Sequence, residues 1–350
     1  FELKTVQKMD GAELSACVNK PCILADDEGY NCEWSTELTD PDAMGEYIKA
    51  WFILHVIAKE FGLGAQDGFQ FNISVGYDLA GIKGDKVNTF IDGMMEAKDT
   101  VIFQECRKWL LDNADKFQNF TREDIEAIPS NVCNSATIST LHGCPPQEIE
   151  SIANYLLTEK HLNTFVKCNP TLLGYDFARK TMDEMGYDYM VFGDFHFRDD
   201  LQYEDAVPML TRLMKLSEEL GLEFGVKITN TFPVDVTRNE LPSEEMYMSG
   251  KSLYALSMSV AQKLAKDFDG KLRISYSGGA DYFNITKIVD AGIWPVTMAT
   301  TLLKTGGYQR FTQVADKVEG ICPKKWEGID VDALKKLAAD AITDGHHVKN

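Results

Sequence analysis

Gly278-Gly279 and Thr300-Thr301 stand where a polypeptide can hold an anion with its backbone. An apolar run, Leu272–Tyr276, ends in the glycine pair; a second, Trp294–Ala299, opens at the threonines into a helix-like run. Successive strand-to-helix turns of this kind present several free N–H groups to one anion. In a (β/α)8 barrel the loops after the seventh and eighth strands form the usual phosphate site, so a phosphate-bearing cofactor is the first expectation.

Three lysines come next. Lys4, Lys167 and Lys227 each lie near the C-terminal end of a strand-like run, and lysine is costly to bury without a partner. Together they imply an electropositive barrel mouth on an acidic chain; pairing with Glu2, Glu33 or Asp194 is the alternative. In His142-Gly143-Cys144-Pro145-Pro146 the thiol stands just ahead of a helix start, where the dipole favours thiolate, with His142 in local reach. A Cys/His pair there suits proton transfer or nucleophilic attack, against a structural cysteine in a proline-rich turn. Asp194 and His196, two apart on a run read as a strand, have the spacing of a metal pair without a third ligand, or of a satisfied core histidine. Asn31, amid aromatics, is suited to hydrogen-bond a ring amide or to serve a turn.

The elements that must position these groups alternate. Strand-like runs fall at Phe1–Thr5, Phe69–Val75, Ala136–Thr140, Thr164–Cys168, Tyr189–Phe195, Glu223–Thr229, Leu272–Tyr276 and Pro295–Thr300. Helix-like runs fall at Asp42–Phe61, Val87–Asn113, Pro146–Thr158, Tyr175–Met185, Tyr203–Leu220, Lys251–Phe268, Ile285–Ala291 and Asp332–Ile342. Alternation of this kind predicts a parallel sheet with crossover helices, and eight such units predict a closed barrel over an open doubly wound sheet. Residues 13–40 and 230–250 read as mostly irregular, the second as a lid or substrate loop.

Composition sets limits. At 350 residues the chain is long for one domain, though α/β barrels reach that length. Its net charge is 35 − 54 = −19, which argues against nucleic acid and against an anionic membrane surface. Apolar runs fall short of a membrane span. The eight cysteines form no CxxC pair, which argues against a zinc or iron–sulfur site built within the chain and for reduced thiols in the cytoplasm. The chain opens at Phe1, without Met, inside a strand-like run, as a piece of a longer protein would.

The segments ELKT, YNCEW, HGCPP, FVKCNPT, VKITNT, MSGKSL, SYSGG and VTMATTLL occur in an order similar to that of the flavin domain of dihydropyrimidine dehydrogenase and of the dihydroorotate dehydrogenases. The chain resembles still more closely the bacterial "putative selenate reductase" subunits, up to about Gly307. The resemblance implies an FMN-type (β/α)8 TIM barrel over residues 1–310, without its first strand in this chain. One of the eight strands counted above is then surplus, Tyr189–Phe195 being the candidate. Residues 311–350 would be a helical extension toward a following redox module.

By the same resemblance, Lys4, Thr5, Asn31, Lys167, Lys227, Asn230, Thr231, Gly250, Gly278, Gly279, Thr300 and Thr301 would hold FMN. Lys167 would stabilise the reduced ring, and Cys144 would act as acid/base opposite N5, with His142 beside it. Leu141 departs from the asparagine that the family keeps three residues before its cysteine, which puts pyrimidine chemistry in question. FAD and iron–sulfur clusters are expected only outside this chain. The expected partners are other oxidoreductase subunits, molybdenum hydroxylases among them, and a purine-like heterocycle as substrate. A flavin-less scaffold barrel is the alternative.

Overall fold

The computed structural model describes residues 1–348 apart from 18–22, 26–27, 33–34, 141 and 324, so Leu141 and Glu33 lie outside the described residues. The strands are β1 (Glu2–Val6), β2 (Ile23–Ala25), β3 (Gly29–Asn31), β4 (Phe71–Gly76), β5 (Cys133–Ser139), β6 (Asn163–Cys168), β7 (Phe224–Ile228), β8 (Phe232–Asp235), β9 (Glu245–Ser249), β10 (Arg273–Ser277) and β11 (Val296–Thr297). Contacts divide the chain into two compact units. The first is Phe1–Cys17 with Ser35–Thr137, and the second is Val18–Trp34 with Ile138–Asn350.

In the first unit β1 and β4 pair in parallel, with Val6 opposite Val75. The helix Asp40–Glu60 starts on Thr39, whose side chain accepts from the Asp42 N–H, and it carries Pro41 in its first turn. Proline there lacks only an N–H the helix leaves unpaired. The helix expected over 87–113 is two, Asp85–Met95 and Val101–Asp112, because the Thr100 hydroxyl caps a fresh start by accepting from Phe103 N–H. Trp51 and Phe71 pack edge to face, 5.4 Å between ring centres.

In the second unit β6, β7, β10 and β11 form a parallel row. One face of that row, Val166, Val226 and Ile274, is buried. Helices Pro146–Thr158 and Tyr203–Leu220 pack on each other, and the second also packs on β7. The other face carries Phe165, Gly225, Lys167 and Lys227, since cross-strand partners share a side. A Cβ on Gly225 would fall 2.8 Å from the Phe165 ring, so this position must be glycine.

Seven of the eight expected strands are present, β1, β4, β5, β6, β7, β10 and β11, and each lies in or beside its predicted run. Tyr189–Phe195 is not a strand: Asp194 leads into a short helix, Phe195–Asp199. Two of its apolar residues, Met190 and Phe192, are buried, with Phe192 edge to face on Phe232 at 4.8 Å. The run 230–250 is not an irregular excursion either. It folds into the antiparallel pair β8–β9, and β9 also pairs with β3. Likewise, residues 13–40 contain β2, β3 and part of the helix Gly11–Cys17.

Candidate functional site

The second unit gathers the glycine and threonine turns. Gly250 follows β9 and Gly279 follows β10, both with positive φ (78° and 84°). A Cβ on Gly279 would meet Gly250 O at 2.3 Å, and one on Gly250 would meet Thr300 Cγ2 at 3.0 Å. Backbone therefore packs on backbone here, which only glycine allows. Ser249 Oγ ties the rim together, 3.2 Å from Gly29 O and 2.9 Å from Thr300 Oγ1. A cavity of about 190 Å³ opens at this point, lined by Gly250, Gly279, Thr300 and Thr301 together with Lys251, Lys304 and Arg310. Asp281 also lines it, but its carboxylate is engaged, accepting from Phe283 N–H at 2.8 Å and lying 3.9 Å from Lys251 Nζ. Gly278 sits beside the cavity's Gly279, against Ser257 and Thr229.

Asn31 lies two residues along β3 from Gly29, about 7 Å at the rise of a strand. It is buried, and neither amide atom has a hydrogen-bond partner among the described residues. A buried amide left so costs folding free energy, about 1–3 kcal/mol for each unmet group. Such a group is expected where a ligand supplies the missing partner. In β3–β9 pairing Asn31 stands opposite Tyr247.

Lys167 and Lys227 are register partners on β6 and β7, with Ser275 next in the row. Lys227 is 4% exposed. The two lysine side chains share one face of the sheet. Asn230 N–H donates to Cys168 O at 2.7 Å, and Asn230 Oδ1 accepts from Thr231 N–H at 3.0 Å, which fixes the turn after β7. Lys4 and Thr5 belong to the first unit. There Lys4 Nζ donates to Ser35 O at 3.2 Å, and the Thr5 hydroxyl meets Ser74 Oγ at 2.8 Å.

Cys144 is half-buried, outside any disulfide, and stands just before the helix Pro146–Thr158, as expected. His142 turns its Nδ1 to Asp200 Oδ2, 2.7 Å away, rather than to Cys144. Asp200 is held by Thr171 Oγ1 (2.7 Å), Asn169 Nδ2 (2.9 Å) and Gly143 N–H (2.8 Å). Burial pushes its pKa up, but His142 and these donors outweigh burial and leave it below the ordinary value. His196 faces neither Asp194 nor a strand neighbour. Its Nε2 lies 2.6 Å from Glu245 Oε2, and that hydrogen bond raises its pKa. Asp194 pairs instead with Arg198 at 3.1 Å.

Asp200, Glu245, Ser249 and the cations of the cavity were not read from the sequence as site residues. Lys251 and Lys304 carried a usable signal, since each directly flanks a segment singled out for its turn. Asp200 carried none, being 58 residues from His142.

Parallel strands alternating with helices, and a cavity at the ends of the late strands, define the class: an α/β domain built on a parallel sheet. A family model described as the N-terminal TIM-barrel domain of the oxidoreductase YgfK matches residues 1–349, and the chain belongs to that family. It is 48% identical to "Putative oxidoreductase YgfK" of Escherichia coli (strain K12) over 355 residues, 98% of this chain and 34% of that protein. The same figures hold for the protein of that name in Escherichia coli O157:H7. The chain thus spans about a third of the length of the curated relatives it matches. Among solved structures it is similar to ligand-free DHODH from Eimeria tenella, at TM-score 0.45 and 15% identity over 89% of this chain and 76% of that one. DHODH from the same organism in complex with ferulenol gives TM-score 0.41 and 15% identity over 93% and 75%. The TIM-barrel class expected from the alternating strands and helices holds by the family match. Among the described residues, no helix is long and apolar enough to cross a membrane.

Proposed function

We propose that this chain is the FMN-binding oxidoreductase barrel of a larger electron-transfer enzyme. One observation carries the reading: Gly250, Gly279, Thr300 and Thr301, four residues expected at a phosphate, line one cavity together with three cations. The residues fit the group. The two glycines keep Cβ atoms out of the rim, and Asn31 offers a buried amide with nothing described to bond. FMN would supply hydride and single-electron chemistry at its ring.

The chain's residues would hold and tune it. Lys251, Lys304 and Arg310 would bind the phosphate. Asn31 would bond the ring's amide edge, and Lys167 with Lys227 would favour negative charge on it. Cys144, at the helix start, would hold or pass the proton, and His142, committed to Asp200, would stand outside that step. Lys4 and Thr5 keep the flavin-contacting role that the resemblance implies. Transfer of electrons to iron–sulfur or FAD modules, work with molybdenum-hydroxylase subunits, and a purine-like substrate belong to the same proposal. So do a cytoplasmic location and a barrel over residues 1–310.

The test compares FMN with riboflavin, which lacks the phosphate. FMN is expected to bind with a flavin absorbance spectrum and at least about tenfold tighter, and Lys251→Gln should narrow that gap, since a charge-assisted bond contributes about 1.5–3 kcal/mol. Equal affinity for the two would overturn the phosphate site. No flavin bound after reconstitution would favour the scaffold barrel.

A further inference from the structure

The cavity at Gly250 and Gly279 carries more on its lip than a phosphate needs. Its lining continues to Tyr282 and Phe283, two rings 5.5 Å apart with planes at 89°. Both stand in solvent, Tyr282 at 41% exposure and Phe283 at 72%. Two residues on, Ile285 is buried in a cluster with Val289 and Val314. The core is served by Ile285, and Phe283 adds little to it. One exposed ring calls for no explanation, but a pair at the mouth of a cavity, each beside a cation, does. Lys317 Nζ stands 3.9 Å from the centre of the Tyr282 ring, and Lys251 Nζ 5.6 Å from that of Phe283.

The rings are held in place. Phe283 N–H donates to Asp281 Oδ1 at 2.8 Å, Asn284 Nδ2 donates to Gly279 O at 2.9 Å, and Lys317 Nζ donates to Tyr282 O at 3.0 Å. The turn from Gly279 to Asn284 thus fixes the rings relative to the glycine rim, and a ligand would meet a surface already formed. Charge on the lining favours an anion. Lys251, Lys304 and Arg310 against Asp281 leave 3 − 1 = +2, in a chain of net charge −19. Arg310 commits its Nε to Thr305 O at 2.6 Å, while its terminal amino groups donate to no described acceptor. Exposed rings beside cations are a surface for a nucleotide: the base stacks on a ring face and the phosphate takes the charges.

We propose that the lip of this cavity binds a second nucleotide, its base on Phe283 and Tyr282 and its phosphate on Lys251, Lys304 and Arg310. The inference rests on the phosphate reading of the cavity and extends it: the flavin's own phosphate takes the end formed by Gly250, Gly279 and Thr300. A phosphate monoester alone has no use for two rings. Two sources carry the same chemistry. One is the adenylate half of FAD, joined to the flavin's phosphate; the other is a separate nucleotide such as ADP, bound beside FMN. The first would bring into this chain the FAD that the resemblance puts outside it.

The probes are riboflavin, FMN and FAD, titrated into the whole chain by fluorescence, and ADP, titrated by calorimetry with FMN at saturation. If the nucleotide belongs to the flavin, FAD binds at least about fivefold tighter than FMN. If it is separate, ADP binds beside FMN and FAD gains nothing over FMN. In either case Phe283→Ala should weaken that binding at least about fivefold, the low end for loss of one base–aromatic stack, and leave FMN affinity as it was. FAD no tighter than FMN together with no ADP bound would overturn the site. So would a Phe283→Ala chain that binds FAD and ADP as the parent does. Equal affinity for riboflavin and FMN would sink the phosphate reading instead, and the gain from FMN to FAD would still judge the lip. Circular dichroism checks the fold of the variant; if it fails to fold, the FAD-to-FMN ratio and the ADP titration of the parent decide.

Discussion

Asn31 shows how a single buried amide separates folding from binding. Without a partner among the described residues it does nothing for stability, so replacing it by leucine should leave the unfolding midpoint unchanged or raise it. If it bonds the flavin ring, the same change should weaken FMN by about tenfold, the equivalent of one hydrogen bond. Titration of FMN into Asn31→Leu alongside urea unfolding reads both quantities. Lost stability with unchanged FMN affinity would assign the amide to the fold alone. Asp40 in the first unit offers a pH test. Burial first, then the neighbouring Asp10 charge, push its pKa up to about 7, while Lys86 pairs with Asp10 at 2.9 Å. A raised carboxyl pKa means that the folded chain holds the proton more tightly. Stability from this group is full below its unfolded pKa of about 4, falls as pH rises to about 7, and is then flat. Asp40→Asn should therefore stabilise the chain more at pH 8 than at pH 5, by at most about 3 kcal/mol, since only the span from pH 5 to about 7 separates the two conditions. Equal effects at the two pH values would remove the explanation.

At the level of elements, what could be read from the sequence was what local chemistry encodes. Helix Pro146–Thr158 was legible because Pro145-Pro146 marks its start, and Tyr203–Leu220 because Gly221 follows it in a left-handed cap. The glycine turns were legible because the requirement for glycine is local: Gly250 and Gly279 sit at positive φ in close contact with neighbouring atoms. The two lysine strands were legible because a charge inside an apolar run needs a reason. Three features were not. Tyr189–Phe195 has the aromatic content of a strand, but its side chains pack on Phe232 and Phe197 with no ladder to join. The β8–β9 pair is short, and its pairing with β3 spans more than 200 residues, a contact no window of sequence reveals. Asp200 reaches His142 only after helix Pro146–Thr158 and β6 are in place, so the histidine's true partner was hidden and Cys144 stood in its place.

At the scale of the whole chain, the question is what the last forty residues do. The extension expected from residue 311 onward does not hang free of the second unit. Ile329 N–H donates to Gly270 O at 2.9 Å, Trp326 Nε1 donates to Gly292 O at 3.0 Å, and a Cβ on Gly292 would fall 2.2 Å from Gly328 O. The helix Val331–Val348 packs on Tyr254–Asp267, the helix that begins shortly after the cavity's Gly250, and it buries Leu334, Leu337 and Ala341. Leu334 is fully buried, so Leu334→Ala should destabilise the second unit by about 2–5 kcal/mol, through lost transfer free energy and the cavity left behind. Urea unfolding followed by tryptophan fluorescence reads all five tryptophans, Trp294 and Trp326 of this unit among them. Its midpoint should fall together with that of far-UV circular dichroism, and FMN added in excess should recover part of the loss by mass action. A midpoint equal to that of the parent, or a separate early transition confined to helix signal, would show that the terminal helix folds apart from the unit it covers.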